Sequence, residues 1–259
     1  MPKDSLLYQF SQPIRIADCP TDPPKKAGED EVRDMTKDLT KKLGELNAVL
    51  MAEKKHSVLV VLQGMDGSGK DGAVENVFHY CTAANIRTAS YKKPTDLEFS
   101  HDFLWRVHQQ CPARGEIGIF IRSHYEDVLI QRVHGWIDED RVKQRMEAIN
   151  AFERLLEFDN HTVIFKFFLH ISYEQQGKEL REREREREKQ WKHNPNDWKE
   201  RERWSDYMRC YEDVINNSVV PWTIVPVDKR WYRDYVIART MVEKLSSLGM
   251  EYPGLPKGL

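Results

Sequence analysis

Short apolar runs bounded by turn residues alternate along this chain with longer stretches whose apolar residues recur every three or four positions. Val32, Met35, Leu39, Leu43, Leu46 and Leu50 share one face at helical spacing and predict a first helix. Val58-Leu59-Val60-Val61-Leu62 follows, a continuous run of β-formers ending near glycines, which predicts a strand buried on both faces. The alternation then repeats. Ile86–Tyr91 reads as a strand, Leu97–Gln110 as a helix, and Ile117–Ile121 as another buried strand. Val142, Met146, Ile149, Phe152 and Leu156 mark a long helix before the strand Val163–Leu169. Trp222–Val227 predicts a further strand and Tyr235–Leu248 a closing helix. Strands alternating with helices imply an α/β fold, a parallel sheet flanked by helices.

Two segments stand outside this pattern. Residues 1–30 carry Pro13, Pro20, Pro23, Pro24 and Gly28, and predict an arm without regular structure. Between Lys178 and Arg203 lie ten basic and eight acidic residues, strictly alternating in sign from Arg181 to Lys189. Period-two alternation puts like charges at i and i+4, so this stretch has neither helical ion pairing nor an apolar face to bury. It reads either as a solvated helix or as a lid, about residues 172–205, that closes on a polyanion. The remainder reads as one domain spanning 1–259.

Composition narrows the function. The 259 residues include 40 Lys+Arg and 42 Asp+Glu, a net charge of −2, which argues against a nucleic-acid-coating protein. No apolar stretch approaches the length of a membrane span, and the first residues lack the pattern of a secretory signal. Cys19, Cys81, Cys111 and Cys210 form no CxxC pair and predict reduced thiols in a cytoplasmic protein.

The chemistry is concentrated after the first strand, in Gly64-Met65-Asp66-Gly67-Ser68-Gly69-Lys70-Asp71-Gly72. G-x-x-x-x-G-K between a buried strand and a helix is a phosphate loop: Gly64, Gly67 and Gly69 let the backbone wrap an anion, with Met65 and Ser68 completing the cradle. Lys70 supplies a full charge to the phosphoryl group being transferred. Asp71 stands where Ser or Thr normally follows the lysine, and is expected to point away along the helix start. Asp66, a carboxylate inside the loop, would repel phosphate unless a cation lay between them, which makes it the candidate magnesium ligand. At the end of the neighbouring strand, where phosphate-loop proteins carry a second acid, stands Ile121; Arg122 follows and can face the phosphates. His124 reads as structural rather than catalytic.

These residues, with Lys93-Pro94-Thr95, Leu104-Trp105-Arg106, Gly115–Phe120, Arg122-Ser123-His124-Tyr125-Glu126-Asp127 and Ile224–Asp228, resemble the polyphosphate kinase 2 family from about Tyr8 to Pro253. The loop is most similar to the class III branch, which acts on nucleoside mono- and diphosphates. The resemblance implies a thymidylate-kinase-like P-loop kinase with a helical lid. It implies Mg²⁺-dependent phosphoryl transfer between inorganic polyphosphate and ADP, AMP, GDP or GMP; the balanced charge and the lack of an apolar span argue for no nucleic-acid and no membrane partner. It also implies a homo-oligomer, dimer or tetramer, for which Trp136, Trp231 and Tyr232 are candidate contacts or core residues. Carried onto this chain, Asp66, Lys70, Arg122 and the lid's Arg183 are catalytic, and Lys93, Arg106, Arg132 and His134 line the phosphate path. The chain departs from the family at Ile121, where Asp or Asn is usual, and at Arg181 and Glu184, where apolar lid residues are. Two other readings stay open: an ATP-dependent nucleotide kinase on the same fold, and a nucleotide- or polyphosphate-binding protein weakened catalytically at Ile121.

Overall fold

A computed structural model describes residues 13–255. Their elements are α1 (Glu29–Glu53), β1 (Ser57–Gln63), α2 (Lys70–Val77), β2 (Ile86–Ser90), α3 (Asp96–Phe99), α4 (Trp105–His108), β3 (Ile117–Ile121), α5 (Ile130–Val133) and α6 (Glu139–Asn160). They continue through β4 (Thr162–His170), α7 (Tyr173–Arg185), α8 (Asn196–Glu202), α9 (Trp204–Asn217), β5 (Trp222–Pro226) and α10 (Arg230–Ser246). The strands form one parallel sheet in the order β2-β3-β1-β4-β5. Every residue of β1 is buried, as its unbroken apolar run requires of a central strand. The chain leaves β1 to one side for β2 and β3, then crosses to the other for β4 and β5. A crevice therefore opens at the carboxyl ends of the strands, where α/β folds bind ligands.

Local chemistry accounts for the long helices. Glu29, Asp30 and Glu31 occupy the first turn of α1, where acids complement the helix dipole, and Val32, Leu43 and Leu50 are buried along its inner face. Asp138 caps α6 by accepting from the Arg141 amide. Helices α1 and α10 pack together, and α6 lies against β4.

Several sequence expectations are corrected. Leu97–Gln110 is two short helices, α3 and α4, because Asp102 accepts from the Leu104 amide in a turn between them. Helix α10 begins at Arg230 rather than Tyr235. Helix α9 was hidden behind the charge run, although Tyr207, Tyr211, Val214 and Ile215 form its buried face. The run itself is not uniformly solvated, since Leu180, Asp197 and Arg201 within it are buried. Residues 1–12 of the predicted arm lie outside the described residues. Beyond them the arm is irregular apart from a 3-10 turn at Ile16–Asp18, and it is pinned to α9 by Ile14 N donating to Asn216 Oδ1 (2.7 Å) and Ile16 N to Glu212 Oε2 (2.8 Å). Tyr232 is core, Trp231 is half-buried and Trp136 is exposed. Among the described residues no helix is long and apolar enough to cross a membrane.

Candidate active site

The loop from β1 to α2 carries positive φ at Gly64 (148°), Gly67 (86°) and Gly69 (84°). Side chains are excluded by contact as well as by conformation. A Cβ on Gly64 would stand 2.6 Å from the Leu169 carbonyl oxygen, and one on Gly69 would stand 2.4 Å from Arg233 Nη1. Lys70 opens α2 and folds back over the loop, its Nζ donating to Gly64 O (2.7 Å) and Met65 O (3.1 Å). Burial pushes the Lys70 ammonium down to about 8, against the pull of Asp66.

Asp66 Oδ1 accepts from Arg122 Nη2 at 2.6 Å. Burial would raise the Asp66 carboxyl, but Lys70, Arg122 and Arg183 together outweigh it and hold the group below the ordinary carboxylate range. Arg122 reaches this position because it leaves β3 at φ 61°, a left-handed conformation that a non-glycine residue adopts only under strain. Its amide still donates to Leu62 O (3.0 Å), extending the pairing of β3 with β1 by one residue. Glu126, four residues on, accepts from Gln63 Nε2 (3.0 Å); burial raises its carboxyl despite Arg122 and Lys70 nearby.

Arg183 on α7 donates to Asp197 Oδ2 of α8 at 2.9 Å. Burial, then the charge of Asp66, raises Asp197 to about 6, which places this α8 carboxylate in the same field as the loop. Helix α7 touches the loop directly, with Gln176 Nε2 donating to Asp66 O (3.0 Å). Asp71 is exposed at the start of α2, as expected, and lies 3.5 Å from Lys192.

A cavity of about 710 Å³ adjoins the loop, lined by Lys93, Phe99, Arg106, Arg122, Glu126 and Trp136 among others. Lys93 and Arg106 thus reach the crevice. Arg106 is also held in place by Lys92 O (2.9 Å), Asp127 (3.4 Å) and the face of Tyr91. The structure does not bring Arg132 there, because its guanidinium is taken up by Glu139 and Asp213. His134 faces the Glu200 carboxylate at 3.1 Å and stacks on Trp136, at the cavity's rim rather than inside it. His124 is fully buried against Glu153, beneath the site, which fits a structural role.

The donor set suits a cation that keeps its own waters. Among the described residues no three His, Cys, Asp or Glu side chains cluster to cage a metal. Magnesium needs no such cage, only one or two carboxylates and phosphate oxygens. Asp66 supplies one, and the buried Ser68 Oγ has no hydrogen-bond partner among the described residues, an orphan oxygen inside the cradle.

Sequence reasoning missed two residues beneath the loop. Arg230 donates to Ser68 O and Gly67 O, and Arg233 to Gly69 O at 2.9 Å. A signal for them existed: α10 starts with two arginines and no acid, against the preference of a helix N-terminus.

A phosphate loop charged in this way, with an arginine facing it across the crevice, is found together with a matching sequence: the family model described as polyphosphate kinase 2 (PPK2) matches residues 26–252. The chain belongs to the polyphosphate kinase 2 family. This kinase is 43% identical over 218 residues to an AMP/ADP-polyphosphate phosphotransferase of Meiothermus ruber, covering 83% of this chain and 81% of the relative. It is 36% identical to an ADP-polyphosphate phosphotransferase of Rhodopseudomonas palustris over 227 residues, 82% and 78% of the two chains. The crystal structure of polyphosphate kinase 2 from Arthrobacter aurescens superimposes with a TM-score of 0.91 at 34% identity, covering 100% of this kinase and 93% of that chain.

Proposed function

We propose that this kinase transfers phosphoryl groups between inorganic polyphosphate and nucleoside mono- or diphosphates, ADP or AMP and GDP or GMP, with Mg²⁺. The observation that carries this reading is the position of Arg122, paired with Asp66 of the loop on one side and lining the large cavity on the other. One phosphate group can sit in the loop while a second, on a nucleotide in the cavity, approaches it past the same guanidinium.

Each residue then has a role. The loop amides and Lys70 hold the transferred group, and Asp66 with Ser68 would hold Mg²⁺. Bound there, the ion would neutralise charge on the phosphate oxygens. Arg122 and Arg183 stabilise the equatorial oxygens, and residues of about 172–205 close over them as a lid. Tyr91, Phe99 and Trp136 offer aromatic surface to the base, and Lys93 and Arg106 offer charge to the phosphates. The attacking nucleotide phosphate is already anionic, so no side chain need remove a proton; positioning and electrostatics suffice. Self-association belongs to the same reading, supported by Leu155 and Phe158 exposed three residues apart on α6.

Incubation with polyphosphate, Mg²⁺ and each of ADP, AMP, GDP and GMP tests the reading. Nucleoside triphosphate formed from polyphosphate is expected. Product only when ATP is the donor would replace polyphosphate with ATP, and binding without turnover would favour catalytic loss at Ile121.

A further inference from the structure

Arg230 makes two kinds of contact at once. Its Nη1 and Nη2 donate to Ser68 O and Gly67 O, each at 2.5 Å, beneath the phosphate loop. Its Nη2 also lies 3.0 Å from Glu179 Oε1 on α7. Arg233, one helical turn on, donates to Gly69 O and is itself fixed by Asp234, which Asn76 of α2 holds at 2.8 Å. Three consecutive loop carbonyls are therefore turned toward α10. A trans peptide points its N–H opposite to its C=O, so turning the carbonyls of Ser68 and Gly69 toward α10 aims the amides of Gly69 and Lys70 the other way, into the anion cradle.

Glu179 and Gln176 lie on the same face of α7, three residues apart. Gln176 rests on Asp66 O and Glu179 on Arg230, so one face of α7 touches both the loop backbone and the arginine that holds it. When α7 moves, the charge that neutralises Arg230 moves with it. The cationic first turn of α10, unfavourable by itself, is offset at Arg233 by Asp234 and at Arg230 by the loop carbonyls and Glu179.

We propose that Arg230 is a positioning residue that couples docking of α7 to the shape of the phosphate loop, with Glu179 as the element that engages on closure. This rests on the phosphotransfer reading above. Neither side chain lines the large cavity. Arg230 acts through the loop backbone, and Glu179 acts through Arg230. A loop whose amides are aimed only when the lid is seated would transfer to nucleotide and spare polyphosphate from water.

The test compares the full-length wild type with Glu179→Gln, Arg230→Gln and the double variant. It measures kcat, KM, the fraction of phosphoryl groups lost to water, and the thermal midpoint. Glu179→Gln keeps the loop carbonyl contacts and removes the charge of the link between α7 and Arg230. The nucleotide KM is expected to stay within about threefold while kcat falls about tenfold and the water fraction rises, the scale of a single coupled contact. Arg230→Gln is expected to lose more, and adding Glu179→Gln to it should cost nothing further. A Glu179→Gln enzyme with wild-type kcat and partitioning overturns the coupling, as do effects that multiply in the double variant. Glu179→Gln sits on a partly exposed helix face, so it carries the test even if Arg230→Gln fails to fold. Failure of the phosphotransfer reading would show separately, as a wild type that makes no nucleoside triphosphate from polyphosphate.

Discussion

Arg122 Nη2 and Asp66 Oδ1 lie 2.6 Å apart, joining the phosphate loop to the residue that follows β3. The pair joins two groups that both face phosphate, so a bound phosphate chain must compete for Arg122 while a cation takes over Asp66. Asp66→Asn keeps the shape and removes the charge. Turnover is expected to fall about 10²–10³-fold, the cost of one preorganised electrostatic element. Both side chains are about a third exposed, so stability should change little. Steady-state kinetics and a thermal melt check this together, and near-normal turnover would remove Asp66 from the metal and phosphate site.

Lys70 makes phosphate binding depend on pH. Its ammonium, lowered to about 8 by burial, is charged below that pH and neutral above it. Bound phosphate favours the charged form, so binding raises the group again and takes up a proton. Affinity for polyphosphate should be level at neutral pH and decline as pH rises through 8. Calorimetry in two buffers of different ionisation enthalpy should show proton uptake on the alkaline side. Lys70→Met should bind weakly and lose that uptake.

Ile121 ends β3 beside Leu62 of the central strand, next to Arg122. Its side chain is half-buried, so a carboxylate there would reach solvent without costly burial. Ile121→Asp is expected to lower the Mg²⁺ concentration needed for half-maximal activity and to raise kcat. A magnesium titration of both proteins decides it, and identical curves would mean that Asp66 alone suffices.

Beneath the site, Lys166 Nζ meets Glu153 Oε2 at 2.7 Å and Tyr125 Oη at 2.7 Å, with both charged side chains fully buried. Lys166→Met leaves the buried Glu153 with Tyr125 and His124 but without its lysine charge, and should cost about 3–5 kcal/mol in denaturant unfolding. Adding Glu153→Leu should recover only part of it, because the buried His124 Nε2 and Tyr125 Oη then lose the carboxylate they face at 3.3 Å and 2.8 Å.

Much of this was readable in the chain. Buried runs such as Val58–Leu62 must be interior strands, because their side chains have no polar face to turn to water. The glycine spacing from Gly64 to Gly69, with Lys70, names a phosphate loop because few other arrangements require it. The sequence therefore determined the sheet, the loop and the family. It could not show that Arg132 is spent on Glu139 and Asp213 while Arg122, paired with Asp66, lines the cavity, because a charge pattern does not reveal which carboxylate lies nearest in space. Nor could it show that Arg230 and Arg233, more than 160 residues from the loop, support its carbonyls. Periodicity and propensity act over a few residues, whereas these contacts exist only once the sheet has brought α10 under the loop. Only the tertiary structure decided which arginines serve the site.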